Sequence, residues 1–125
     1  MTTPLTQVAI GAADLERAAR FYSELLDADP LATYDPPGLV FFDLRGTRLL
    51  LDRNVTGGIV YLGVDDVDEA LRRAVSAGAT VEGEPHVIFT HDDDTLGPAG
   101  TDEWHAFVRD PDGNVVGLVE QRPGA

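Results

Sequence analysis

A block near the start of the chain recurs halfway along it, and this repeat constrains the fold more than any other feature. Val8 to Ala18 lines up with Val60 to Ala70. Val8/Val60, Gly11/Gly63, Asp14/Asp66 and Ala18/Ala70 are identical pairs 52 positions apart, and Ile10/Leu62, Leu15/Val67 and Glu16/Asp68 keep their character. A second anchor sets Asp43, Gly46 and Leu51 against Asp110, Gly113 and Leu118, now 67 apart, so the later copy carries 15 extra residues between Ala79 and Arg109. A period of this length marks one supersecondary unit used again. Two copies are too few for a solenoid, and 125 residues suffice for one core but not for two independent ones. The expectation is a single domain over residues 1–125, with module one at about 5–53 and module two at about 58–121.

Each copy spells the same order of elements. In the first, Thr6 to Ile10 is apolar and β-branched enough for a strand, and Gly11 follows at a turn. Asp14 has the side chain and position of a helix N-cap. Leu15, Ala18, Tyr22 and Leu25 then recur at helical spacing, and Pro30 ends whatever helix remains. A short strand near Thr33 precedes Leu39 to Leu44 and Thr47 to Asp52, which Arg45-Gly46 joins as a hairpin. In the second copy Ile59 to Val64 is a strand, Asp66 and Glu69 have capping-box spacing, and Val67, Ala70, Leu71 and Ala74 form the apolar stripe. Gly78 stands where a left-handed helix end is wanted. Pro85 to Thr90 can be a strand, and a long loop is expected over about 84–103. Glu103 to Arg109 and Asn114 to Glu120 then pair around Asp110-Pro111-Asp112-Gly113, a strong turn sequence. Each module is β-α-β-β-β, and the extra residues fall before the last hairpin, where long loops are commonly lids.

Charge and cysteine content narrow the function classes. Nine Lys and Arg stand against 22 Asp and Glu, for a net charge of −13. Such a surface repels nucleic acid and anionic lipid and favours cationic partners, although solubility alone also accounts for it. With no cysteine, disulfides and thiolate metal sites are excluded. No apolar run approaches the ~18 residues of a membrane span, and the first residues lack a signal-peptide pattern, so a soluble cytoplasmic protein is expected. Asp92-Asp93-Asp94 lacks the alternating spacing of a calcium loop.

The doubled βαβββ unit, the segment Asp14-Leu15-Glu16-Arg17-Ala18-Ala19-Arg20-Phe21-Tyr22 and the closing Asp110-Pro111-Asp112-Gly113-Asn114 together resemble the vicinal oxygen chelate superfamily. That group holds glyoxalase I, extradiol dioxygenases, methylmalonyl-CoA epimerase, and the fosfomycin- and bleomycin-resistance proteins. The likeness runs from about Leu5 to Gln121. It implies an α+β fold of two pseudo-symmetric modules forming an open, cup-shaped curved sheet, with helices on the convex side and the ligand in the concavity. It also implies a homodimer. For activity the implication is weak, because one scaffold hosts many chemistries.

In the metalloenzymes of this group, the first and last strands of each module supply a divalent ion. Carried over, those positions fall on Gln7, Leu50, Gly58 and Gly117. One amide oxygen facing Leu, Gly and Gly cannot hold Mg²⁺, Mn²⁺ or Zn²⁺. No metal and no cofactor are therefore expected, and the lost side chains are expected to leave a hollow. Strand alternation would add Ala9, Arg48, Val60 and Val115 to its wall. The resemblance further directs His105, Phe107 and Arg109 inward and sets Trp104 on the other face or at the rim.

His105 is the one catalytic candidate, because a neutral imidazole can act as general base or acid near pH 7. It can equally be a histidine that only hydrogen-bonds in a strand. Arg48 could grip a carboxylate or pair with a neighbouring acid. Trp104 and Phe107 could stack on an aromatic ligand or simply pack. His86, His91, Glu103 and His105 could in principle form a displaced metal site, though no ligand spacing supports one. Two functions stay open. One is a metal-free small-molecule-binding protein that sequesters a cationic or aromatic ligand. The other is a metal-independent isomerase or lyase that uses His105 as base. Neither involves nucleic acid or a membrane.

Overall fold

Local sequence accounts for most of the element boundaries in the computed structural model, which describes residues 7–124. The expected start of module one, at Leu5 and Thr6, lies outside the described residues. In chain order the elements are β1 (Gln7–Gly11), α1 (Leu15–Leu26), β2 (Ala32–Tyr34), β3 (Leu39–Leu44), β4 (Thr47–Asp52), β5 (Ile59–Gly63), α2 (Val67–Ser76), β6 (Thr80–Thr90), β7 (Thr101–Arg109) and β8 (Val115–Pro123). Asp14 caps α1 by accepting the Arg17 N–H at 3.1 Å, and Asp66 caps α2 by accepting the amides of Asp68 and Glu69. α1 ends on Asp27 in the left-handed conformation, and Gly78 takes φ +115° just past α2.

The two modules have the same topology. Their sheets run β1-β4-β3-β2 and β5-β8-β7-β6, with the first strand of each parallel to its module's last strand. Both helices pack on one side. Ile10, Val40, Phe42, Leu49 and Leu51 from the first sheet share a single core with Val60, Ala106, Val108, Val116 and Leu118 from the second. Phe21, Tyr22 and Leu25 of α1 and Val67, Ala70 and Ala74 of α2 complete it. A side chain such as Leu118, fully sealed, contributes about 1.5–3 kcal/mol of transfer free energy. Strand alternation then sends the odd residues of β7 and β8 to the face away from the helices. Among the described residues no helix is long and apolar enough to cross a membrane.

The Asp110-Pro111-Asp112-Gly113-Asn114 turn is a clasp between the modules. Asp110 is buried and accepts the Tyr22 hydroxyl at 2.7 Å, the Asn114 side-chain amide at 2.9 Å and the backbone amides of Asp112 and Asn114. Asp112 accepts the Ala13 amide at 3.0 Å at the mouth of α1 and pairs with Arg17. Asn114 donates to the Gly11 carbonyl, so all three polar side chains of the turn are committed to structure.

Two expectations are corrected here. Val60 does not face away from the helices: it lies in the shared core at 9% exposure, and Tyr61 takes the open face at 59%. Gly58 and Val60 both point to the core side, so the open face of β5 starts at Ile59, and taking Gly58 as its first position puts every later residue on the wrong face. The long loop is also shorter than expected. β6 extends through Thr90 and pairs with β7 across several register shifts, which leaves residues 91–100 as the connection. Bulges of this kind absorb inserted residues without ending a strand.

Candidate functional site

The face away from the helices carries one ring cluster on the second sheet. Tyr61 of β5 and Phe107 of β7 both stand beside Gly117 of β8 in the ladder. His105 lies two residues before Phe107 and therefore on the same face. The three ring centroids form a near-equilateral triangle: Tyr61–His105 5.8 Å, Tyr61–Phe107 6.0 Å and His105–Phe107 5.7 Å. Tyr61 is the exposed corner and His105 the buried one.

Gly117 makes that triangle possible. A Cβ there would sit 2.6 Å from Tyr61 Cδ1 and 3.2 Å from Phe107 Cε1. The expected hollow is thus occupied: the space left by a missing side chain is filled by the chain's own rings, which lie over the glycine.

Behind the triangle Glu103 gathers the polar groups. Its Oε1 lies 2.9 Å from His91 Nε2 and accepts the Gln121 side-chain amide at 2.8 Å, while Oε2 lies 2.5 Å from His105 Nε2. The Gln121 hydrogen bond holds the Glu103 carboxyl down at about 2; burial opposes it, and the bonds from His105 and His91 add to it. The sign for stability follows. A carboxylate whose folded value is depressed stabilises the fold above its ordinary value of 4.5, and that stability disappears as pH falls from there towards 2. Urea midpoints measured at pH 6 and pH 3 should therefore diverge more for the wild type than for Glu103→Gln. Equal acid sensitivity of the two proteins would contradict this.

The other predicted residues fall in different places. Gln7 and Arg48 pair across β1 and β4, with Arg48 Nε donating to Gln7 Oε1 at 2.9 Å and the guanidinium 6.0 Å from the Phe41 ring. Leu50 is buried between the neighbouring strands, opposite Ala9 and Phe41. Among the described residues no hydrogen bond or ring contact joins this group to the ring cluster. Gly58 precedes β5, and its absent side chain would point at Ile10 on the core side, 2.8 Å from Cγ2, so it does not line the open face. Trp104 packs against the core under the Arg122 guanidinium, 4.3 Å from its centroid. Arg109 shares the open face of β7 with His105 and Phe107 but stands at its exposed end, bonding to Glu82 and the Gly113 carbonyl. A groove of about 1200 Å³ lies between strands of the two modules, and of the predicted residues Arg48 and Val60 border it, together with Tyr61. Tyr61, Gln121 and the linking role of Glu103 were missed by sequence reasoning. Alternation counted from Ile59, the residue 52 positions after Gln7, would have found Tyr61.

The glyoxalase-like domain model matches residues 7–119, nearly the whole described chain. The chain belongs to the glyoxalase-like domain family. Solved structures agree over nearly the whole chain. This glyoxalase-like protein is 25% identical to lactoylglutathione lyase from Agrobacterium tumefaciens, covering 96% of this chain and 95% of that one with a TM-score of 0.71. A member of the glyoxalase/bleomycin resistance protein/dioxygenase superfamily from Sphaerobacter thermophilus is also 25% identical, covering 95% and 98% with a TM-score of 0.69. An enzyme of the same family from Burkholderia phytofirmans, 18% identical, covers 94% and 98% with a TM-score of 0.73, and this last likeness speaks for the fold alone. A search of curated proteins finds no match.

The metal positions implied by the superfamily can now be assigned by ladder register. Gln7 faces Arg48 and Ile59 faces Val115, so the second-module counterpart of Gln7 is Ile59 rather than Gly58. The set becomes Gln7, Leu50, Ile59 and Gly117. Three of the four have no donor atom in the side chain, and the Gln7 oxygen already accepts from Arg48. The residues present do not fit a divalent ion there. Nor do His86, His91, Glu103 and His105 converge on one point. His86 Nδ1 bonds the Glu84 carbonyl, and the other two imidazoles each address a different oxygen of Glu103.

Proposed function

We propose that this glyoxalase-like protein binds a small aromatic or cationic molecule without a metal ion, against the Tyr61–His105–Phe107 face. The observation that carries the reading is the exposed Tyr61 ring standing with two other rings over Gly117. An aromatic ligand packed against these rings gains about 0.5–1.5 kcal/mol per ring pair, and ring faces attract cations. The Glu103 carboxylate behind them and the net charge of −13 add a field of the right sign. Sequestration of such a molecule, an antibiotic included, needs nothing more than this surface. The same reading includes a homodimer, for which the exposed Ile59 beside the ring face offers apolar surface, and a place in the cytoplasm.

Calorimetric titration with cationic aromatic natural products tests it. Tyr61→Ala and Phe107→Ala should each weaken binding by roughly tenfold, about 1.4 kcal/mol. Tyr61 is exposed, so Tyr61→Ala should melt close to wild type, which separates lost binding from lost folding. Wild-type affinity in both variants, or no binding by any such compound, would remove the proposal.

The Glu103–His105 hydrogen bond favours a second reading, catalysis of a metal-independent isomerase or lyase step with His105 as general base. His105→Ala separates the two readings. Turnover lost with binding retained supports catalysis, whereas unchanged turnover excludes His105 from it.

A further inference from the structure

Among the described residues the His105 ring has one hydrogen bond, from Nε2 to Glu103, and its Nδ1 is neither bonded within the protein nor sealed from solvent. The partner is an acceptor only, because an ionised carboxylate has no proton to give. Nε2 must therefore carry the hydrogen, and in the neutral ring Nδ1 is left with the lone pair. His91 meets the same carboxylate in the same way, also through Nε2. It is 2% exposed, with the Phe89 ring 4.9 Å away. Gly97 of the 91–100 connection backs it so closely that a Cβ there would lie 2.7 Å from Nε2. The connection itself is tied back to this corner: the Gly100 amide donates to the His91 carbonyl at 2.8 Å, and the His91 amide donates to Thr101. The connection thus begins with an imidazole wedged against the carboxylate that orients His105.

We propose that Glu103 and His91 are positioning residues that fix His105 in its Nε2–H tautomer, so that Nδ1 is presented beside Tyr61 and Phe107 as a hydrogen-bond acceptor for an N–H or O–H group of the ligand. This deepens the binding reading above, from which it takes the ring face. It narrows the ligand to an aromatic or cationic molecule that also carries a donor hydrogen. A quaternary ammonium or a purely aprotic ring would leave the Nδ1 lone pair unpaired, which costs affinity.

Long-range ¹H–¹⁵N correlation spectra of the free protein, ¹⁵N-labelled at histidine and held at mildly alkaline pH, read the tautomer without any ligand. The expected result is protonated Nε2 and bare Nδ1 at both His91 and His105. In Glu103→Gln, whose amide can either donate or accept, His105 should become a mixture of tautomers. In His91→Phe it should shift in the same direction, and His91→Gln, which returns an N–H donor, should restore the wild-type pattern. A His105 ring protonated at Nδ1 in the wild type, or a tautomer untouched by both Glu103→Gln and His91→Phe, would overturn the proposal. The wild-type spectrum decides the first point even if a variant fails to fold. Titration with benzamidinium, an aromatic cation with N–H groups, should then move the His105 Nδ1 resonance, and phenyltrimethylammonium should bind about tenfold more weakly. Tyr61 signals that respond to benzamidinium while Nδ1 stays still would remove the acceptor role and leave the binding face standing. Silence at both would sink the two readings together.

Discussion

Asp110→Ala is expected to destabilise the protein by about 3–5 kcal/mol, the largest effect of any single polar substitution outside the ring cluster. Asp110 is buried and takes four hydrogen bonds, from the Tyr22 hydroxyl, the Asn114 side chain and two backbone amides of its own turn. Alanine would strand all four donors where water reaches them poorly, and each orphaned donor costs about 1–3 kcal/mol before relaxation. Asp110→Asn keeps one oxygen and should lose roughly half as much. Urea unfolding measures both, and a loss below about 1 kcal/mol for the alanine variant would show that the clasp is not what joins the modules. Burial, and then the Asp110 carboxylate beside it, push the Tyr22 phenol far above its ordinary 10.0. A group raised in this way stabilises the fold fully below its ordinary value and ceases to do so only as pH rises through the raised one. The wild type should thus lose stability above pH 10, and Tyr22→Phe should lose less.

Gly117→Glu should abolish binding at the ring face without creating a metal site. The substitution returns a carboxylate to a position where metal-binding relatives are expected to have one. A Cβ at Gly117, however, collides with Tyr61 at 2.6 Å and crowds Phe107 at 3.2 Å. Tyr61 is exposed and can swing aside, so the fold should survive at a cost of about 1–3 kcal/mol, but the three rings would no longer share one surface. Ligand affinity should fall by about a hundredfold or more, beyond either alanine variant of a single ring. Mn²⁺ or Ni²⁺ added to this variant should show no stoichiometric binding by calorimetry, because Leu50 and Ile59 still supply no donor and Gln7 remains bonded to Arg48. Tight binding of one ion per chain would mean that the open face of the first sheet reorganises far more readily than its packing suggests.

The parts of the molecule that were legible in the sequence share a physical cause: each is decided within a few residues. Asp14 and Asp66 cap helices because a short acidic side chain reaches the next free amides, and Gly78 ends α2 because it tolerates positive φ. The 52-residue offset made two modules and their order of elements unavoidable. The face of β8 was legible too, since Val115 and Gly117 alternate with the buried Val116 and Leu118 as a regular strand requires. Alternation holds at β5 as well, but it has to be counted from Ile59, which pairs with Val115, and not from the core-side Gly58; that choice hands the open face to Tyr61 instead of Val60.

Sequence by itself determined the family and the doubled architecture, because those are properties of residue types at fixed separations. Only the tertiary structure decided what fills the space over Gly117. Tyr61, His105, Phe107 and Gly117 come from three strands, and His91 reaches Glu103 across the 91–100 connection, beyond a β6–β7 ladder whose register shifts defeat any counting rule. Side chains that meet through long-range strand pairing carry no local periodicity. Their contacts depend on where each bulge falls and which rings then collapse together over a glycine.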